Sequence, residues 1–331
     1  MDFKINDTGS ITWEKCYGGS NDDGPTNIQQ TSDSGYIIVG RTASNDGDIT
    51  NNYGGAYDYW AVKINDTGML IWQHTYGGSG DDEAAAVTET IDGGYIATGY
   101  SNSFDYEVTG NHGSNDFWTL KLNDTGGITW AKCYGGSQDD AGEAIQQTTD
   151  SGYIMIGLSS SSDYDVTANY GSYDIWVVKI DGNGIIQWQK NLGGDSLDAG
   201  YGITQTFDNG YAAIGYTRSF DHDVTYNYGS ADFWVIKLGQ NPSVIPIPGH
   251  NDISVYPNPT CDFLNINAAI NPDNSKISVY LYDIIGKEIY SLQYVSNGQD
   301  QSLDLRNLQP GMYILKMASG KEVDTYKIIK Q

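Results

Sequence analysis

Apolar and polar residues alternate with period two in short runs along most of the chain. In Trp176-Val177-Val178-Lys179-Ile180, residues Trp176, Val178 and Ile180 fall on one face; after the turn Asp181-Gly182-Asn183-Gly184, Ile186 and Trp188 share a face of the next run. This alternation predicts a β-hairpin whose turn uses glycine for its left-handed residue. A second hairpin follows in Gly202–Thr206 and Tyr211–Gly215, joined through Asp208-Asn209-Gly210, and Ser34-Gly35, Gly93-Gly94 and Ser151-Gly152 take the place of Asn-Gly in sister segments. Asn-Gly between two strand-like runs is a strong hairpin signal. The whole pattern then repeats: Trp13, Trp72, Trp130 and Trp188 recur every 58 to 59 residues, and Trp60, Trp118, Trp176 and Trp234 keep the same beat. Four antiparallel strands per repeat select an all-β fold, the β-propeller, among repeat architectures. All eight tryptophans fall on these two periodic positions and are expected in the core.

The phase of the repeats suggests how the ring ends. Cut before the Gly-Tyr hairpin, the last unit has three strands, and the segment Ile11–Tyr17 is expected to complete it and close a four-bladed ring. The rival reading is an open arc or a larger ring, with Met1 lying inside a longer protein, because the first unit lacks the Gly-x-x-Asp-x-Trp lead-in of the later ones. The repeat wording over residues 1–238, Trp-x-Lys-x-Tyr-Gly-Gly-Ser followed by Asp-Asp and later Asp-Val-Thr-x-Asn-x-Gly, resembles repeat proteins secreted by Bacteroidetes. The resemblance implies a class and a location, and no activity.

At Gly239 the repeats stop. A stretch over 239–251 containing Pro242, Pro246 and Pro248 reads as a linker. Residues 252–331 then carry seven short alternating runs, the count of a small Ig-like β-sandwich. Val255-Tyr256-Pro257-Asn258-Pro259, Val279-Tyr280-Leu281-Tyr282-Asp283-Ile284-Ile285-Gly286-Lys287, Leu308-Gln309-Pro310-Gly311-Met312-Tyr313 and Lys327-Ile328-Ile329-Lys330 stand there in order. These blocks resemble the type A C-terminal sorting domain of the type IX secretion system. The resemblance implies that Pro257, Asn258, Pro259, Gly286, Gly311, Tyr313, Lys327 and Lys330 belong to the sorting signal read by the type IX secretion machinery. It further implies an extracellular or outer-surface destination, reached across the inner membrane by a cleavable signal, with the sorting domain clipped off at the surface. No such signal peptide follows Met1, and the natural reading frame is therefore expected to begin upstream.

Charge narrows the partners. The chain has 42 Asp plus Glu against 17 Lys plus Arg, a formal net charge of −25, and 33 of the acids lie in residues 1–251. Such a field repels phosphate backbones and anionic lipid, which argues against nucleic acid, and no stretch is apolar enough to span a bilayer. Cys16 and Cys133 occupy equivalent repeat positions, two units apart, and Cys261 stands alone in the second domain, so neither a disulfide framework nor a zinc spacing is expected.

The acids themselves are patterned. Asp46, Asp48 and Asp58 recur as Asp105, Glu107 and Asp116, as Asp163, Asp165 and Asp174, and as Asp221, Asp223 and Asp232, each set with a nearby Asn. Four such oxygen-rich sets could hold calcium; the same residues are also ordinary turn and capping residues. A second acidic pair follows each Gly-Gly, as in Asp22-Asp23, Asp81-Asp82 and Asp139-Asp140. Carboxylates from different blades could meet across a channel, as a secreted hydrolase would need, although near-identical blades do not supply the unlike environments that acid and base require. Tyr53, Tyr57, Tyr170, Tyr173 and Tyr228, set among Asn and Asp on the long loops, are candidate sugar-stacking residues. The repeat-breaking residues, Arg41, Arg218, Pro25 and the scattered histidines, do not converge in the sequence. The leading expectation is a secreted, non-catalytic propeller for adhesion or for glycan or polymer binding; the alternatives are a hydrolase and a purely structural surface repeat.

Overall fold

The alternating runs become strands in a computed structural model, which describes residues 2–5, 7–239, 253–256, 263–268, 276–283, 286–295, 301–309, 311–319 and 322–330. Two compact units result, Met1–Leu238 and Gly239–Gln331. The first unit opens with the hairpin β1 (Asp2–Ile5) and β2 (Ile11–Lys15). Three four-stranded antiparallel sheets follow. They comprise β3 (Asp23–Gln30) to β6 (Leu70–Tyr76), β7 (Asp82–Glu89) to β10 (Ile128–Tyr134), and β11 (Asp140–Gln147) to β14 (Ile186–Leu192). A three-stranded sheet of β15 (Asp198–Gln205), β16 (Tyr211–Thr217) and β17 (Asp232–Leu238) ends the series. This is the propeller-like succession of sheets that the period predicted.

Period-two alternation gives every sheet two apolar faces, and consecutive sheets bury them against each other. Ile37, Val39, Tyr59 and Ala61 on the forward face of the first sheet share a core with Tyr95, Ala97, Trp118, Leu120 and Leu122 on the rear face of the second. Ile96 and Phe117 likewise meet Tyr153, Met155, Trp176 and Val178, and Ile154, Ile156, Ile175 and Val177 meet Tyr211, Ala213, Ile236 and Leu238. The outer strands add a clamp. Trp13, Trp72 and Trp130 donate their indole N–H to the carbonyls of Asp66, Asp124 and Gly182 in the hairpin turn one sheet onward, at 3.0 to 3.2 Å. Tyr17, Tyr76 and Tyr134 donate to Gly68, Gly126 and Gly184 in the same turns at 2.6 to 2.7 Å. The periodic tryptophans therefore divide: Trp118 and Trp176 are fully buried, whereas Trp13, Trp72 and Trp130 are half-buried ties between sheets.

Each innermost strand carries a β-bulge. The register slips between Pro25 and Asn27, Ala84 and Ala86, Gly142 and Ala144, and Gly200 and Gly202. The bulge brings the facing backbone so close that a Cβ on Gly157 would lie 1.9 Å from the Ala141 carbonyl oxygen. The residues left over by the bulges are Thr26, Ala85, Glu143 and Tyr201, which differ in every repeat.

The expected closure is not made. β2 pairs with β1, Asp2 opposite Lys15 and Lys4 opposite Trp13, and β17 is left as the edge of a three-stranded sheet. Asp2–Ile5 is a shortened copy of the strand that precedes every outer strand, so β2 finds its usual hairpin partner a few residues away. Pairing it with β17 would instead require closing a loop of the whole repeat unit.

The second unit forms the seven strands read from its sequence. β18 (Ile253–Tyr256), β19 (Phe263–Ala268) and β22 (Gln301–Asp304) make one sheet, and β20 (Lys276–Asp283), β21 (Glu288–Val295), β23 (Gly311–Ser319) and β24 (Glu322–Lys330) make the other. Leu264, Ile266 and Leu303 from the first meet Val279, Leu281, Leu315, Met317 and Ile328 from the second in one core, as a sandwich requires.

Candidate functional site

The long loops between hairpins run along one edge of the repeat unit, and each reaches the Gly-Gly loop that ends the preceding outer strand. The first acid of each Asp-x-Asp accepts a backbone N–H there: Asp46 from Ser20, Asp105 from Ser79, Asp163 from Ser137 and Asp221 from Asp195, at 2.7 to 3.0 Å. The second acid, Asp48, Glu107, Asp165 or Asp223, accepts from Gly18, Gly77, Gly135 or Gly193 at 3.1 to 3.4 Å. The third acid turns elsewhere. Asp58, Asp116 and Asp174 are fully buried and accept from the N–H groups of Tyr53, His112 and Tyr170 in their own loops, and Asp232 accepts from Tyr228.

These buried carboxylates face a second set. A Cβ on Gly77 would lie 2.6 Å from both Asp58 Oδ1 and Asp82 Oδ2; Gly135 sits in the same way between Asp116 and Asp140, and Gly193 between Asp174 and Asp198. A side chain at this position would collide with both carboxylates, and this is why the first Gly of Gly-Gly is required. Oδ1 of Asp58, Asp82, Asp116, Asp140 and Asp174 has no hydrogen-bond partner among the described residues. Burial, reinforced by the neighbouring carboxylate, pushes Asp58 up to about 7 and Asp174 to about 6. Burial raises Asp116 to about 6 against the opposing pull of His112. Burial also raises Asp82, Asp140, Glu107 and Asp165. The four sequence triplets are therefore not gathered as sets: one member of each belongs to the next junction. Among the described residues, Asp195, Asp221 and His222 are the group that brings three potential ligand atoms within 4.8 Å of one another, all of them exposed.

The same edge carries a row of aromatic residues that the sequence reading named only in part. The residue between the first and second acids is Gly47 in the first loop, at φ 68°, and Tyr106, Tyr164 and His222 in the next three, at φ 52°, 52° and 51°. A bulky side chain in the left-handed region costs roughly 1–2 kcal/mol. Each of these three rings packs on an aromatic of the preceding loop: Tyr106 on Tyr53 at 5.4 Å between centroids, Tyr164 on His112 at 4.9 Å, and His222 on Tyr170 at 4.6 Å and nearly parallel. Tyr226 and Tyr228 extend the row at the last loop. Tyr106 and Tyr164 remain about two-thirds exposed and Tyr228 more so, with Phe104 and Phe220 exposed beside them. The legible signal was the identity of the middle residue in Asp-x-Asp, where glycine is the natural occupant and an aromatic stands instead. Of the tyrosines singled out from sequence, Tyr57 and Tyr173 spend their hydroxyls on Asp22 and Asp139, whereas Tyr53, Tyr170 and Tyr228 belong to the row.

Two repeat breaks also converge here. Asp195 replaces the serine of Gly-Gly-Ser, His222 replaces the middle tyrosine, and His222 Nε2 lies 3.1 Å from Asp195 Oδ1. Another break lies on the inner strands, which line a groove of about 360 Å³ with Asn27, Gln29, Thr88, Gln146, Glu143 and Tyr201. Glu143, raised by burial, is the one carboxylate among the described residues lining it. The pairs after Gly-Gly do not face this groove: Asp23, Asp82, Asp140 and Asp198 cap the N–H groups of Gly19, Gly78, Gly136 and Gly194.

In the second unit, Gly286 takes φ 84° in the turn after β20, Tyr313 is buried with its hydroxyl on the Gln309 carbonyl at 2.9 Å, and Lys327 and Lys330 lie on β24 opposite Ile314 and Gly311 of β23. Pro257, Asn258 and Pro259 fall outside the described residues. No helix is long and apolar enough to cross a membrane among the described residues.

Residues 254–331 match the family model of the secretion system C-terminal sorting domain. No curated protein matches the chain. Among solved structures, the chain is similar to the GH32 beta-fructofuranosidase BmSUC1 of Bombyx mori at 10% identity, covering 92% of this chain and 74% of that one with a TM-score of 0.34. A variant of that enzyme in complex with sucrose gives 10% identity, 91% and 73% coverage and a TM-score of 0.32. Dimeric latent PorU from Porphyromonas gingivalis gives 12% identity, 89% of this chain, 30% of that chain and a TM-score of 0.21. Likeness this loose carries no argument about activity.

Proposed function

We propose that this chain, which carries a secretion-system sorting domain and is exported by the type IX system, is a non-catalytic surface protein that captures a neutral or cationic polymer, foremost a glycan, along its loop edge. The observation behind this reading is the row Tyr106, Tyr164 and His222. These rings are held exposed in a strained backbone conformation, one per repeat, each backed by a second ring and flanked by carboxylates. Strain that recurs at the same position in successive repeats is retained for a use. Flat rings stack on the C–H faces of sugars, and the adjacent acids and Asn side chains accept and donate to hydroxyls. One platform per sheet suits a ligand that itself repeats, because linked weak contacts multiply in effect.

Affinity electrophoresis through gels containing neutral and amino polysaccharides tests this. The double variant Tyr106→Gly with Tyr164→Gly is expected to bind at least about tenfold more weakly, at roughly 1 kcal/mol per lost stacking contact. Its melting temperature should stay within a few degrees of the parent's, since relief of left-handed strain offsets the lost ring contacts. Retardation equal to the parent's, or no retardation of the parent by any polymer, would remove the proposal. The groove favours no hydrolase: acid and base chemistry on a glycoside uses two carboxyl groups, and the described lining offers Glu143 alone.

A further inference from the structure

The inner strands β3, β7, β11 and β15 are the edge strands of their sheets, so the backbone groups along their outer side have no strand to pair with. Amide side chains of the preceding sheet take part of that role. Gln29 accepts from the Glu89 N–H, Gln146 from the Gln205 N–H and Asn27 from the Val87 N–H, at 2.5 to 3.4 Å. Each amide thus spends its oxygen on the backbone and keeps its NH2 group. Gln29 gives one hydrogen of that group to Thr88 Oγ1 at 3.0 Å, whereas Nε2 of Gln146 and Nδ2 of Asn27 have no partner among the described residues. These donors line the groove of about 360 Å³, whose size falls within the range of small-molecule sites, roughly 300–1,000 Å³.

Glu143 breaks the pattern. It stands at the position left over by the bulge of β11, where the other sheets have Thr26, Ala85 and Tyr201. Thr26 serves the fold there by donating to the Ala84 carbonyl of the next sheet at 2.6 Å, and Ala85 shows that the position needs no polar group. Glu143 makes no hydrogen bond and no ion pair among the described residues. Burial holds its carboxyl above the usual range, so its ionised form gains from any cation that reaches it. Close by, the half-exposed Tyr201 ring stacks on Tyr216 at 5.9 Å between centroids, and burial, with Tyr216 and Glu143 as neighbours, raises its phenol. A carboxylate beside an aromatic ring is a seat for an ammonium group. The amide NH2 groups and the Thr88 hydroxyl around it match the hydroxyls and ring oxygen of a sugar. We infer that the groove binds a small amino sugar, its ammonium paired with Glu143 and its hydroxyls held by Gln146, Asn27 and Thr88. The site is separate from the loop edge and does not rest on the polymer reading of that edge.

Isothermal titration of the full chain with glucosamine, near neutral pH and in enough salt to screen the general acidity, tests the assignment. The parent is expected to bind N-acetylglucosamine, which keeps the ring hydroxyls and loses the charge, at least about tenfold more weakly than glucosamine. Glu143→Gln should weaken glucosamine binding by about the same factor, with a thermal melt at or above the parent's, since it removes a half-buried charge that has no partner. The variant Tyr106→Gly with Tyr164→Gly should bind glucosamine as the parent does, which separates this site from the loop edge. A parent that binds neither sugar, or both equally, would overturn the assignment. So would a Glu143→Gln chain that binds glucosamine as tightly as the parent, the result expected if the cation is drawn only by the general negative field, and so would a loss confined to the Tyr106 and Tyr164 variant.

Discussion

Raising the pH from about 5 to about 8 is expected to destabilise the repeat unit by on the order of 3–5 kcal/mol, an unusual direction for a protein so rich in carboxylates. The cause is the buried acid at each junction. Asp58, raised to about 7, and Asp116 and Asp174, raised to about 6, hold protons in the folded chain that they release in the unfolded one above the ordinary aspartate range. Between about pH 4 and 7 the folded state therefore binds more protons, and stability falls as the pH rises through that window. The opposite limb is set by Asp33 and Asp92. Hydrogen bonds from Thr31 and Lys63 hold Asp33 at about 2, and those from Thr90 and Lys121 outweigh burial to hold Asp92 at about 2. Their contribution is present above the unfolded value and is lost as the pH falls from about 4 toward 2. Urea titrations at half-unit pH intervals should find maximal stability near pH 4 to 6, and the triple variant Asp58→Asn, Asp116→Asn, Asp174→Asn should lose the decline toward pH 8. A flat profile in the parent would mean that these carboxylates are ionised and solvated.

A single methyl group at Gly157 is expected to cost more than about 4 kcal/mol. Alanine there places Cβ 1.9 Å from the Ala141 carbonyl oxygen and 2.8 Å from Phe117 Cζ, so the bulge in β11 or the strand pairing itself must give way. Gly110 provides the matched control. It has φ +81° with nothing within 4 Å of a Cβ, and alanine there pays only the left-handed penalty of about 1 kcal/mol. Denaturant midpoints for the two variants should therefore differ severalfold in their displacement from the parent. Equal displacements would show that the inner-strand register is not the one described.

Strand positions and hairpins were legible because period-two alternation and Asn-Gly-type turns act locally. The seven strands of the second unit fall within a few residues of their apolar runs for the same reason. Ring closure was not legible: whether β2 joins β1 or β17 depends on competition between a local and a distant partner, and the repeat makes both look alike. The division of the acidic sets was hidden for a different reason. Asp105, Glu107 and Asp116 are neighbours in sequence, yet Glu107 serves Gly77 in the previous junction while Asp116 serves the next, because a loop that crosses between sheets divides its side chains between them. The left-handed aromatics needed backbone angles to be noticed, and the meeting of Asp195 with His222 needed the fold to bring together residues 27 apart.

The ties from Trp13, Trp72 and Trp130 into the next turn are the same bond made three times, each spanning 52 or 53 residues. These three junctions thus offer the same plug and the same socket. Unequal recombination between the near-identical coding segments would add or remove one whole unit and still leave each remaining plug seated. The length of such a molecule is therefore free to drift between lineages without any compensating change elsewhere, and reach, rather than the chemistry of a single sheet, is the property that selection can adjust most readily.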